Sequence, residues 1–280
     1  MEKHTDIIIE TINKYLPKKE DEWELVGFIN KDKEIYAFGN DSKIIGRLFE
    51  VIATDSLLKA SKELGYELKE TVQQTVYPDF YFVKPNGRRI AIDVKTTYRK
   101  FNRNGEVKKF GFTGGSFTSF MRNGTKNIDG HYDDYDGHYI IGVLYSREEN
   151  PTIGKVTLNE LDSITPAYKH PEVFIQEKYR ICGDKKGSGN TDNIGTIKSN
   201  TIEPFVHGAG PFNFMGEEAF HDYWTNHPRY RDSEEVKNSL YNDIDGYIKW
   251  LRESQNKVPL ANEYEEKYNE YKKFLDKKDW

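Results

Sequence analysis

Residues 77–98 read Tyr77-Pro78-Asp79-Phe80-Tyr81-Phe82-Val83-Lys84-Pro85-Asn86-Gly87-Arg88-Arg89-Ile90-Ala91-Ile92-Asp93-Val94-Lys95-Thr96-Thr97-Tyr98. Two β-rich runs, 80–83 and 90–97, flank the Pro85-Asn86-Gly87 turn signal, so the stretch predicts a hairpin. Side chains alternate across a strand, which puts Asp93 and Lys95 on one face and Val94 on the other. With Asp79 entering the first strand, two carboxylates and an ammonium converge on one edge of a small sheet.

That set suits phosphodiester hydrolysis. A hard cation such as Mg²⁺ takes oxygen ligands and is commonly held by one or two carboxylates, substrate phosphate oxygens and water. A lysine beside it stabilises developing charge or orients the attacking water. The letters D-x-K alone are weak, because they recur at Asp41-Ser42-Lys43, Asp184-Lys185-Lys186 and Asp276-Lys277-Lys278. Asp93-Val94-Lys95 is the set that sits in an apolar, β-branched strand, where charge is costly unless paired or metal-bound. The plain alternative is an Asp–Lys pair on the solvated face of a hairpin, and spacing leaves both readings open.

Composition bounds the class. The chain has 280 residues, 36% hydrophobic and 31% charged, with a formal charge of −5. It reads as globular, with no apolar run long enough to span a bilayer and no signal-peptide h-region, which predicts a cytoplasmic protein without membrane contact. A single cysteine, Cys182, forbids an intrachain disulfide and a cysteine-rich zinc site. The acidic balance excludes a generically sticky nucleic-acid binder, so DNA binding needs a local cationic cleft or a metal. Neither G-x-S-x-G nor H-E-x-x-H occurs, which leaves a serine or zinc hydrolase without support.

Outward from the hairpin, residues 5–16 predict an amphipathic helix ended by Pro17, either packing on the core or making a dimer contact. Short strands follow near 25–29 and 34–38. Asn40-Asp41-Ser42 offers caps for a long helix reaching about Leu64 and stopped by Gly65, with Ile44, Ile45, Leu48, Phe49 and Ile52 apolar. On another face of that helix Glu50 either pairs with Arg47 or leans toward the hairpin as a third carboxylate. The polar loop 71–76 lies next to the acidic site, and 111–127 mixes glycines, hydroxyls and cations suited to phosphate contacts. Residues 139–145 predict a buried strand and 173–175 another. The run 183–193 is rich in glycine and too irregular for a strand, and it lacks P-loop spacing. Helices are expected at 217–225, at 234–253 with Val236, Leu240, Ile244, Ile248 and Leu251 on one face, and at 261–280.

In order along the chain, Asp41-Ser42-Lys43, Phe49-Glu50, Gln73-Gln74, Tyr77-Pro78-Asp79-Phe80, Ile92-Asp93-Val94-Lys95-Thr96-Thr97-Tyr98, Thr118-Ser119-Phe120, Thr125-Lys126-Asn127-Ile128 and Gly187-Ser188-Gly189-Asn190-Thr191 resemble the type II restriction endonucleases of the PD-(D/E)xK nuclease superfamily. The match spans most of residues 5–252. The resemblance implies an α/β restriction-endonuclease-like fold: a central mixed β-sheet flanked by helices, DNA-recognition loops and a helical C-terminal region. It divides the chain into 1–38, serving dimerisation, 39–207, the catalytic core with its loops, and 208–280.

The implied activity is Mg²⁺-dependent hydrolysis of double-stranded DNA by a homodimer, with Mn²⁺ as substitute metal. The implied target is a palindrome like GATATC, cut at its centre to blunt ends with 5′-phosphates, alongside a companion methyltransferase. Asp79 and Asp93 match the metal ligands, Lys95 the catalytic lysine, and Glu50 an auxiliary acidic position counted with both sets. Gly187, Ser188, Gly189, Asn190 and Thr191 match the major-groove loop and Gln74 the minor-groove loop, while Thr97, Ser119 and Lys126 match positions at the DNA backbone. Thr75, Gly124 and Asp192 depart from the family pattern, and a carboxylate at 192 would be repelled by a phosphate-lined groove unless it turns away or accepts from a cytosine amine. A DNA-binding protein without cleavage, or a metal-dependent nuclease of other specificity, are the competing readings.

Overall fold

The computed structural model describes residues 6–73, 75–187 and 192–278. Helix α1 (Ile7–Tyr15) begins at Asp6, whose carboxylate accepts from the Ile8 and Ile9 amides, and it buries Ile8 and Ile12. Two short strands follow, β1 (Phe28–Ile29) and β2 (Glu34–Phe38). Helix α2 (Ser42–Leu64) starts as the sequence predicts. Asp41 accepts from Lys43 and Ile44, and Gly65 closes the helix in the left-handed region, at φ +70°, which glycine adopts without strain.

Then come β3 (Glu67–Glu70), β4 (Phe80–Val83) and β5 (Arg89–Tyr98). The β4–β5 turn is closed by the Gly87 amide donating to the Lys84 carbonyl at 2.9 Å. Beyond it lie β6 (Thr113–Ser116), a π turn over Phe117–Met121, β7 (Tyr135–Arg147), β8 (Ile153–Thr157) and β9 (Tyr168–Glu177). One helical turn, α3 (Lys178–Ile181), leads into β10 (Cys182–Lys186) and β11 (Asn193–Thr196). The remainder is helical: α4 (Glu203–Val206), α5 (Pro211–Met215), α6 (Glu217–Asn226), α7 (Glu234–Ser239), α8 (Ile244–Glu253) and α9 (Val258–Leu275).

The central sheet runs β3-β4-β5-β7-β9; β5 and β7 are parallel and the other pairs antiparallel. The expected mixed sheet with flanking helices is therefore present. Alternation assigns the two faces of β5. Ile90, Ile92 and Val94 pack with α1 and α2 around Phe49, whereas Ala91 belongs to the cluster that includes the C-terminal helices. Full burial of an aromatic such as Phe49 contributes about 2–3 kcal/mol. Asp93 and Lys95 lie on the Ala91 face, in a sheet covered on both sides.

Two expectations need correction. Residues 234–253 are two helices, because the backbone turns extended at Leu240. Tyr241 then swings inward, its hydroxyl donating to the Tyr223 carbonyl at 2.7 Å, and Asp243 caps α8 by accepting from Gly246 at 2.8 Å. The glycine-rich run 183–193 is not irregular throughout, since β10 pairs antiparallel with β11. Glycine makes that pairing fit: a Cβ at Gly195 would stand 2.5 Å from the Lys185 carbonyl oxygen. Strand β11 pairs in turn with β6, which makes a three-stranded ribbon β10-β11-β6.

Candidate active site

Strand β5 aims Asp93, Lys95 and Thr97 to one side, and β4 brings Asp79 alongside. The Val94 amide donates to Asp79 Oδ2 at 2.8 Å, pinning that carboxylate across the hairpin. Lys95 Nζ stands 2.6 Å from Asp93 Oδ2 and 3.9 Å from Asp79 Oδ2. Asp93 is almost wholly buried, at 3% exposure, whereas Asp79 and Lys95 are partly open to solvent. The alternative of a solvated ion pair is thereby excluded for Asp93.

The electrostatics divide the pair. Burial, and then the Asp93 carboxylate, push Asp79 up against the pull of Lys95. Burial pushes Asp93 up as well, but the ammonium groups of Lys95 and Lys178 outweigh it and hold Asp93 below the ordinary carboxylate range. Burial would lower Lys95, and the Asp93 and Asp79 carboxylates reverse that and keep it protonated. Two carboxylates this close resist joint ionisation without a cation between them.

The donor set fits a hard divalent metal. Asp93 Oδ2 is buried and accepts no well-formed hydrogen bond, so it has a lone pair available. Among the described residues no group of three or more His, Cys, Asp or Glu side chains is gathered to hold a metal. Two carboxylates, with phosphate oxygens and water completing the shell, match the way Mg²⁺ is held at phosphoryl-transfer sites.

Glu50 on α2 is close enough for its charge to act on both Asp79 and Lys95. Its carboxylate is engaged by Arg47, which also reaches Glu70 at 2.7 Å. Thr97 is half-buried on the Lys95 side of β5. Ser119 is buried inside the π turn, and Lys126 is exposed. The Lys126 turn is clamped to the catalytic hairpin, because the Tyr77 amide donates to the Asn127 carbonyl at 2.9 Å. The Gly187 amide donates to the Asn193 carbonyl at 2.8 Å. Gln74, Ser188, Gly189, Asn190 and Thr191 lie outside the described residues.

The departures from the family pattern have local explanations. Asp192 is engaged within the protein: its Oδ1 accepts from the Tyr230 amide at 2.8 Å and lies 3.5 Å from Lys186 Nζ. Gly124 has φ +65°, and a Cβ there would meet His131 Nε2 at 2.4 Å. His131 thus occupies the space a side chain at 124 would need. Thr75 is an exposed turn residue.

The sequence pattern did not reveal that Lys178 and His138 meet at Tyr77 behind Asp93. Lys178, 1% exposed, donates to the Tyr77 hydroxyl at 2.8 Å, and that hydroxyl stands 2.8 Å from His138 Nδ1. Burial, and then the Lys178 charge, push His138 well below its ordinary value. A neutral His138 accepts from Tyr77, so the network runs from Lys178 through Tyr77 to His138. The ammonium also lies 4.1 Å from the Tyr77 ring centre and 5.1 Å from that of Phe120. The available signal was a lysine set between the apolar Val173-Phe174-Ile175 and Ile181-Cys182.

A family model described as restriction endonuclease EcoRV matches residues 19–252. The type II restriction enzyme EcoRV of Escherichia coli is 40% identical over 233 residues, covering 82% of this chain and 91% of that enzyme. Among solved structures, the NlaIV restriction endonuclease aligns with 98% of this chain and 89% of its own at 11% identity and a TM-score of 0.33.

Proposed function

We propose a mechanism from the premise that this chain belongs to the EcoRV restriction endonuclease family and is a type II site-specific deoxyribonuclease acting on double-stranded DNA. The observation that carries it is the meeting of Asp79, Asp93 and Lys95 within 3.9 Å on a sheet face where isolated charges would be costly. Enzymes of this type are metal-dependent, and Asp79 and Asp93 are the residues that would hold Mg²⁺, or Mn²⁺ in its place. Glu50 is the auxiliary candidate, and it would have to release Arg47 to serve as a ligand. Bound there, the metal supplies Lewis-acid charge at the scissile phosphate and a more acidic water.

The protein's own residues set the geometry. Asp93, held ionised by two ammonium groups, orients Lys95 through the 2.6 Å contact. Lys95 faces outward from that contact and steadies the attacking water or the charge growing on the phosphorane oxygens. The Val94 amide fixes Asp79 so that its carboxylate does not rotate away. Thr97, Ser119 and Lys126 position the DNA backbone. Gly187, Ser188, Gly189, Asn190 and Thr191 read the major groove, and Gln74 enters the minor groove.

The target proposed is GATATC, cut at its centre to blunt ends with 5′-phosphates. Each chain carries one such constellation, and equivalent cuts in both strands of a palindrome call for a two-fold homodimer. The surface supporting that dimer is the small sheet β1-β2-β8, where Phe28, Ile29, Tyr36 and Ile153 remain exposed. By contrast, α1 spends Ile8 and Ile12 on its own core. A methyltransferase in the same cytoplasm would protect host copies of the site. No helix among the described residues is long and apolar enough to cross a membrane.

The test is incubation with plasmid and Mg²⁺ beside an Asp93→Ala control, followed by sequencing of the ends. Blunt cuts at the centre of GATATC, absent in the control, are expected. Cuts elsewhere would overturn the specificity and keep the chemistry, and unchanged cleavage by the control would overturn the site.

A further inference from the structure

A cleft of about 1100 Å³ runs from Thr97 on β5 and Gly187 at the recognition loop to Tyr268, Tyr271 and Lys278 of the C-terminal segment. Among the described residues, seven lysines and one aspartate line it, in a chain whose formal charge is −5. Lys185 and Lys186 share carboxylates at 3.5 Å, so the surplus rests on lysines such as Lys109 and Lys198. Helix α9 follows the family-matched region, which ends at residue 252, and so is not part of what the family relation accounts for.

We infer that α9 is an added wall of the DNA cleft, binding the phosphate backbone of duplex that flanks the target site, without regard to base sequence. The inference rests on the reading of Thr97 and Gly187 as lying beside bound duplex. The helix is a fixed wall and not a lid. Ala261 and Tyr264 are buried in the same cluster as Phe212 and Ile248, Phe214 packs on Tyr271 and Phe274 at 5.6 and 5.3 Å, and Lys272 reaches Asp245 at 2.8 Å. Tyr268, Tyr271 and Leu275 fall at helical spacing on one stripe, followed by Lys278 just past the helix, and together they line the cleft opposite its other lysines. A polyanion is the partner such a lining complements, and each phosphate neutralised by a lysine releases condensed counterion.

The experiment uses the full chain without metal and fluorescent duplexes of about 12 and about 30 base pairs, each with central GATATC or with that site scrambled, over a range of salt. Wild type is expected to bind the longer duplex more tightly and with a steeper salt dependence. Replacing Lys198 and Lys278 together by Glu should remove that gain. Each lost contact flattens the slope by about 0.9, or about eight-fold in affinity per ten-fold change in salt. Lys278 is exposed at the end of α9, and circular dichroism checks that the variant folds. An unchanged slope and affinity of the variant on the longer duplex overturns the inference. The specificity reading is decided separately, by cleavage of the same duplexes in Mg²⁺: equal cleavage of scrambled and GATATC duplexes overturns it. The variant's loss on the longer scrambled duplex still decides α9, because the contact is independent of sequence.

Discussion

Lys178→Met should change the pH dependence of stability more than stability at pH 7. Burial lowers the Lys178 ammonium from its ordinary 10.5 to about 8, a gap of about 2.5 that costs about 3 kcal/mol of stability while the group is charged. Methionine keeps most of the stem's packing and removes that cost, but it forfeits the 2.8 Å bond to Tyr77, a charged-donor contact worth about 1.5–3 kcal/mol. The two offset, so stability at pH 7 should stay within about 2 kcal/mol of wild type. The pH dependence should change more. The folded value lies below the unfolded one, so between about pH 8 and 10.5 the unfolded wild type holds more protons and stability rises with pH. The variant lacks that rise. Asp93 also loses one of the two ammonium groups facing it, but Lys95 remains at 2.6 Å and keeps it ionised at pH 7.5, so single-turnover cleavage should fall by less than about ten-fold. The assay is urea denaturation of both proteins at pH 7 and pH 10, with single-turnover cleavage at pH 7.5. A loss above about 3 kcal/mol at pH 7, or a pH-dependent rise equal to that of wild type, would refute the reasoning.

Asp93→Ala should lower single-turnover cleavage by about a thousand-fold, the equivalent of about 4 kcal/mol of transition-state stabilisation, with its circular dichroism spectrum retained; near-normal cleavage by the folded variant would remove Asp93 from the site. Glu50→Gln should cost less than about ten-fold, since Glu50 already serves Arg47, and a thousand-fold loss in the same assay would make it an obligatory ligand. Gly142→Ala should destabilise by about 1–3 kcal/mol through overpacking, because the new Cβ would lie 2.1 Å from the Phe174 ring; a thermal melt matching wild type would show that Phe174 can move aside.

Local order in the chain foretold a good deal of this molecule. The β4–β5 hairpin runs as its turn and alternation imply, and α2 is capped by Asp41 and Gly65. Strand β7 is the buried neighbour of β5 that its apolar run implies. Spacing could not say whether Glu50 pairs with Arg47 or serves the site, because both lie within reach of one helix face. The 234–253 segment misled because its apolar period continues through Leu240, where burial of Tyr241 against the Tyr223 carbonyl outweighs continued helix.

What the sequence by itself determined are relations between near neighbours: the alternation that puts Asp93 and Lys95 on one face, the caps of α2, and the family to which the motifs belong. These follow from backbone geometry, which acts over a few residues at a time. Only the tertiary structure decided that Asp93 is sealed from water, that Lys178 and His138 meet at Tyr77 from 101 and 61 residues away, and that α9 lines the same cleft as Thr97. Burial and long-range charge set those features, and both depend on which surfaces the packed elements hide from solvent, a property that local periodicity does not carry.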